Sequence, residues 1–224
     1  MKFRHEYKHQ INLSDIYGLR TRLAAVLERD SYVEGDGTYF VKSLYFDNYM
    51  DKALREKVDG VNKREKFRIR YYGTDTTFIR LEKKSKINGL CNKQNCRITK
   101  DECQRIIDGD FEFLLHSEHE LLRELYAKMK YQLLRPKCIV AYTRESFVYA
   151  PGHVRVTLDM NIRGSNNVKE FLSPELQYSG IYSGSILEVK WDEYLPGIVR
   201  DCIQVKSRRS AAFSKYAAIK YKQI

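Results

Sequence analysis

Arg64-Glu65-Lys66-Phe67-Arg68-Ile69-Arg70-Tyr71-Tyr72 is followed closely by Phe78-Ile79-Arg80-Leu81-Glu82-Lys83-Lys84. In a β-strand successive side chains point to opposite faces. Lys66, Arg68 and Arg70 then share one face, and Phe67, Ile69 and Tyr71 the other. In the second run Arg80, Glu82 and Lys84 lie opposite Ile79 and Leu81. Gly73-Thr74-Asp75-Thr76 between them suits a short hairpin loop. The pair predicts a hairpin with one apolar and one densely cationic face. The rest of the chain decides what that cationic face looks at.

The same alternation recurs on both sides. Residues 3–11 set Arg4, Glu6 and Lys8 against Phe3, His5, Tyr7 and His9. A strand over 39–47 contains Ser43-Leu44-Tyr45-Phe46-Asp47, and others are predicted near 92–98, 136–149, 154–159 and 186–192. In these, Tyr142 and Arg144 share a face with Ser146, Arg155 with Thr157 and Asp159, and Glu188 with Lys190. Asn12 or Ser14 can cap a helix with Ile16, Leu19, Leu23, Val26 and Leu27 at 3–4 spacing. A short helix is expected near 50–58. Thr99-Lys100-Asp101-Glu102 and Ser117-Glu118-His119-Glu120 read as capping boxes for helices over 100–108 and 118–132. Pro196 suits the first turn of another helix, and a last helix is predicted over 213–221. The segment 164–184 reads as a loop or short hairpin. Breaks are expected at Gly35-Asp36-Gly37, Gly89 and Ser207-Arg208-Arg209-Ser210. With no repeat, low-complexity tract or linker, 1–224 reads as one domain.

Composition narrows the partner. The 224 residues are 43% hydrophobic, enough for a sizeable core, and carry 40 Lys+Arg against 29 Asp+Glu, a net charge of +11. Such an excess points to nucleic acid, anionic lipid or a small polyphosphate. Nucleic acid fits poorly, because the cations fall in strand phase and no recognition helix or RNA-binding signature is present. The 17 Tyr and 10 Phe suit pleated, half-buried surfaces. Five cysteines at irregular spacing make neither a disulfide framework nor a zinc site, so reduced thiols are expected. No run approaches the ~20 apolar residues of a membrane helix, and the N-terminus lacks the apolar core of a signal peptide. The chain reads as soluble and cytoplasmic.

For any one strand a solvated outer face would explain the polar side. Arg crowds these faces, however, and interspersed amphipathic helices could cover the apolar sides from outside. That predicts an α+β fold: a closed antiparallel β-barrel of about eight strands with a charged lumen, helices packed outside, and room for a small ligand. Cations buried together need anionic partners, which a phosphate-rich ligand supplies. Glu6, Glu82 and Glu188 on the same faces would suit a divalent ion bridging to phosphates. Pairing of each glutamate with a neighbouring cation is the competing reading.

Arg68-Ile69-Arg70-Tyr71-Tyr72-Gly73, Leu81-Glu82-Lys83-Lys84, Tyr142-Thr143-Arg144, Arg155-Val156-Thr157-Leu158-Asp159, Leu187-Glu188-Val189-Lys190 and Ser214-Lys215-Tyr216 stand in this order along almost the whole chain. In this the sequence resembles the VTC-type polyphosphate polymerase domain, of the triphosphate tunnel (CYTH-like) superfamily. The resemblance implies transfer of the γ-phosphate of ATP to inorganic polyphosphate, with Mn²⁺ or Mg²⁺ as cofactor. It implies catalytic roles for Lys8, Arg68, Arg70, Lys84, Arg144, Arg155 and Lys215, and substrate contacts by Lys66, Arg80, Lys93, Tyr142 and Lys190. Glu188, with Glu82 and Glu6, would serve the metal. Tunnel hydrolases open with Glu-x-Glu-x-Lys, whereas this chain has Arg4-x-Glu6-x-Lys8, a departure that resembles the polymerase branch. The SPX domain and membrane helices of the eukaryotic complexes are lacking, which implies a free-standing prokaryotic version; a membrane partner stays open. The alternatives are a metal-dependent tri- or polyphosphatase on the same fold and a non-catalytic module binding polyphosphate or inositol phosphates.

Overall fold

The computed structural model describes residues 4–31, 35, 37–88, 90–205 and 213–221. The expected features at Phe3, Asp36, Gly89 and Ser207 to Ser210 lie outside the described residues. The strands are β1 (His5–Ile11), β2 (Glu28–Arg29), β3 (Thr38–Asp47), β4 (Lys63–Tyr72), β5 (Asp75–Ile87), β6 (Leu90–Ile98), β7 (Arg135–Tyr149), β8 (Val154–Ser165), β9 (Gly180–Ile181) and β10 (Ser185–Trp191). The helices are α1 (Leu13–Val26), α2 (Lys52–Val58), α3 (Lys100–Asp108), α4 (Glu120–Tyr131), α5 (Gly197–Cys202) and α6 (Lys215–Lys220).

All strand pairs are antiparallel, in the order β1-β10-β8-β7-β3-β4-β5-β6, with β2 and β9 attached to β7 and β8. The sheet curls, but the expected closed barrel does not form. Among the described residues no backbone pairing joins β1 to β6. The gap is spanned by side chains instead, with Lys84 Nζ 3.1 Å from a Glu6 carboxylate oxygen. The result is a curled half-barrel.

The opening alternation places the core. Phe67, Ile69, Tyr71, Ile79 and Leu81 are buried on the convex face, where they meet Ile106 and Ile107 of α3 and Leu121, Leu122, Leu125 and Met129 of α4. A second convex core joins Val156, Leu158, Leu187 and Val189 to Leu19 and Leu23 of α1 and Val199 of α5. Asn12 and Thr99 cap α1 and α3 as the sequence predicts, each in a reciprocal capping box. Ser117 does not cap α4. Its hydroxyl accepts from the His119 N–H at the end of a 3-10 turn (Glu112–His116), and the helix begins after it.

Two departures shape the concave side. The segment expected to be loop from 164 onward is partly sheet, since β8 runs on to Ser165 and β9 pairs with it. Within β8, Asn161 adopts a left-handed φ of 52° and the register to β7 shifts. This bulge swaps the faces: Arg155, Thr157 and Asp159 point inward before it, Ile162 and Gly164 after it. The second departure is α6, which packs inside the curl rather than outside. Ile219 and Tyr216 join Val140, Ile162 and Ile186 in a third, concave core. Gly164 is what lets the helix in, because a Cβ there would lie 2.3 Å from Ile219 Cγ2.

Candidate functional site

On the β4–β5 side, Arg68 and Glu82 face each other in register, as do Lys66 and Lys84. Arg68 Nε and Nη2 both reach Glu82 Oε2 at 2.6 Å, and its Nη1 donates to Tyr45 Oη at 3.1 Å. Arg70 donates to Ser43 Oγ at 3.0 Å and to Tyr142 Oη at 3.1 Å. Lys93 Nζ sits 2.5 Å from the other Glu82 oxygen. Burial opposes ionisation of Glu82, yet Arg68, Arg70 and Lys93 hold it well below the usual carboxylate range. Lys66 differs from its neighbours. Burial, with repulsion from Lys84, Arg68 and Lys8, pulls it down to about 7 despite the attraction of Tyr45. Tyr45 is itself brought to about 7: burial pushes it up, but Arg68, Lys66 and Arg70 outweigh that.

The opposite wall is built from β7, β8, β10, β1 and α6. Arg144 grips Asp159 with two bonds of 2.6 and 2.8 Å, and Lys215 Nζ is 2.5 Å from the same carboxylate. Both cations lie over the Tyr142 ring, at 5.2 and 4.7 Å. Ser214 Oγ caps α6 and so points Lys215 inward. Lys8 Nζ lies 3.1 Å from Glu6 and 3.5 Å from Glu188, while Lys190 pairs with Glu188 and reaches Glu6 at 3.8 Å. Arg155 leans on the buried Asp30 at 3.0 Å. Burial lowers Lys190 to about 8 against the pull of Glu188 and Glu6.

These walls enclose a cavity of about 330 Å³, lined by eleven Lys and Arg side chains and three Glu. Lys8, Lys66, Arg68, Arg70, Lys84, Lys93, Tyr142, Arg144, Arg155, Lys190, Lys215, Glu6, Glu82 and Glu188 all line it. Arg80 does not. It is on the concave face opposite Arg70, but beyond the cavity, where its guanidinium stacks 4.3 Å above the Phe78 ring. Tyr45, Tyr72 and Ser214 line the cavity without having been picked from sequence as site residues. For Tyr45 the signal was available: it shares strand phase with Ser43 and so faces the cations.

Glu6, Glu82 and Glu188 do not gather into one cluster. Among the described residues no group of three or more potential protein ligands forms. Glu82 stands apart in its own cluster of Arg68, Arg70 and Lys93, so the expected set of three glutamates is reduced to Glu6 and Glu188, on adjacent strands. Burial and then repulsion from Glu188 push the Glu6 pKa up, although nearby Lys8, Lys84 and Lys190 leave it lowered overall. Thr157, opposite Glu188 in register, keeps a buried hydroxyl without a hydrogen-bond partner. One or two carboxylates completed by phosphate oxygens is how Mg²⁺ is commonly bound, and Glu6 with Glu188 fits that donor set.

The model of the VTC domain family matches residues 3–221. The chain belongs to the VTC domain family. The match confirms the resemblance read from the motifs. Among solved structures, a proposed adenylate cyclase from Bacillus halodurans is similar over 85% of this chain and 80% of its own, at 14% identity and a TM-score of 0.52. That likeness supports the same fold for this VTC domain. A protein of Pyrococcus horikoshii OT3 aligns over 89% and 84% at 11% identity, with a TM-score of 0.43. No curated protein sequence matches the chain. No helix among the described residues is long and apolar enough to cross a membrane. All five cysteines are free thiols.

Proposed function

We propose that this VTC domain is a polyphosphate polymerase that moves the γ-phosphoryl of ATP onto the end of an inorganic polyphosphate chain. The observation that carries the reading is the cation excess around one cavity, eleven Lys and Arg against three Glu. Without an anionic guest, charges crowded in this way repel one another and lose hydration. Lys66 is a case in point, since burial and then repulsion from Lys84, Arg68 and Lys8 drive its ammonium down to about 7. A phosphate beside it would return the proton.

Phosphoryl transfer needs in-line placement and neutralisation of the equatorial oxygens more than protein acid–base chemistry. Arg68 and Arg70 are held in place by Glu82, Ser43 and Tyr142, and Arg144 by Asp159. Each therefore meets phosphate with little side-chain freedom left to lose, and a guanidinium can bond two phosphate oxygens at once. Lys8, Lys84, Lys93, Arg155 and Lys215 come from other elements and supply positive charge along the rest of a linear polyanion. Glu6 and Glu188 would hold a divalent ion, which when bound adds charge neutralisation at the phosphates. Lys8, touching both carboxylates, orients the attacking chain end.

Purified protein incubated with ATP and Mn²⁺ should yield long chains on a polyphosphate gel. Release of orthophosphate alone would instead support a hydrolase, and unchanged ATP a binding module.

A further inference from the structure

Where α2 gives way to β4, and again where β5 gives way to β6, the chain places aliphatic side chains in water. Val58, Val61, Ile87 and Leu90 are 55, 39, 48 and 51% exposed. They lie together. Ile87 pairs in register with Lys63 on one side and Leu90 on the other, and Asn62 Nδ2 donates to Asn88 Oδ1 at 2.8 Å. Asn88 holds a left-handed φ of 50°, which fixes the turn.

Cations flank these turns. Lys63 and Arg64 open β4, Lys86 sits opposite Arg64, and Lys57 precedes Val58. The Lys57 pKa is lowered by burial and then by repulsion from Arg64, Lys8, Lys86 and Lys84, which marks a local excess of positive charge. Asp59 is the acid in this loop; Glu56 is within 3.7 Å of Lys52. Two copies facing each other through such patches would repel. Aliphatic side chains bordered by Lys and Arg instead match the layering of an anionic bilayer, with acyl boundary beneath charged headgroups.

We infer that the knuckle of Val58, Val61, Ile87 and Leu90 docks this protein on an anionic membrane surface. The aliphatics enter the headgroup boundary and the surrounding cations bind the lipid phosphates. The contact is peripheral and reversible, and it lies beside the cavity mouth, where Lys57, Arg64 and Lys86 share a recess with Glu6, Lys8, Lys66 and Lys84.

Co-sedimentation with phosphatidylcholine vesicles, with and without phosphatidylglycerol, tests this. The intact protein should pellet with the anionic vesicles, stay in solution with the neutral ones, and be released by high salt. Ile87→Asp/Leu90→Asp should lower partitioning about tenfold or more while leaving the melting temperature and ATP turnover in solution unchanged. Should that pair fold poorly, Lys63→Glu gives the same test on the charged rim. Failure of the protein to pellet with either vesicle would overturn the inference. So would equal binding by well-folded knuckle variants, which would place the contact elsewhere.

Discussion

Along β7, Cys138 and Val140 point to the concave side and are fully buried, while Arg144 two turns of the pleat later points the same way into a cavity lined with cations. β10 repeats the contrast, with Ile186 in an apolar cluster and Glu188 and Lys190 beside one another at the cavity. One face of one sheet thus has two halves. The apolar half, closed by Tyr216 and Ile219 of α6 and by Leu54 of α2, is held by the hydrophobic effect and needs no guest. The cationic half is held by scattered acids (Glu6, Glu82, Asp159, Glu188) that do not balance it. Alternation identifies a face; it does not say whether that face is filled or left open.

Substitutions in the two halves should therefore fail differently. The largest effect is expected from Arg68→Ala, which should cut turnover by about a hundredfold to a thousandfold in steady-state assays. Its melt should stay cooperative, because Arg70 and Lys93 still compensate Glu82. Near-normal activity would remove Arg68 from the site. In the apolar half, Ile162→Ala should cost about 2–5 kcal/mol in urea unfolding while kcat per folded molecule is retained. Gly164→Ala forces a Cβ against Ile219 and the Ile139 carbonyl oxygen, at 2.3 and 2.7 Å, and should cost about 1–3 kcal/mol.

A pH titration sharpens the same contrast. Folded, Lys66 and Tyr45 both titrate at about 7; unfolded, both hold their protons to about 10. Between those limits the unfolded chain binds more protons, so the free protein gains stability as pH rises from 7 towards 10. Lys66→Met should flatten that rise in melts at successive pH values, and an unchanged slope would contradict the assignment. The smallest effect belongs to Arg80→Ala, whose half-buried guanidinium rests on Phe78 outside the cavity; kcat/KM should stay within about twofold, as for positions away from the site.

Much of this was legible in the residues. The phase of Lys66, Arg68 and Arg70 against Phe67, Ile69 and Tyr71 gave the convex core and the cationic wall, because a period of two cannot be satisfied any other way. The bulge at Asn161 was not legible: asparagine tolerates the left-handed region, but nothing nearby says that it uses it. Missing that bulge hid the inward turn of Ile162 and Gly164, and with it the seat of α6. The open seam was also hidden, since strand patterns do not report whether the two edge strands pair through backbone or leave a gap that Glu6 of β1 and Lys84 of β5 reach across. Glu82 reads as a metal ligand from its place on the cationic strand face and from the family resemblance. Its partners, two arginines and a lysine, come from neighbouring strands whose register only the fold reveals.

The central claim is that the cationic half binds a polyphosphate while the apolar half holds the fold. Thermal melts with and without tripolyphosphate test it most directly, on the intact protein, Ile162→Ala and Arg68→Ala. A ligand at a hundred times its Kd adds about 2.7 kcal/mol of stability. The intact protein and Ile162→Ala should show the same upward shift from different starting points, and Arg68→Ala little or none. An equal shift in Arg68→Ala, or no shift in the intact protein, would contradict the account.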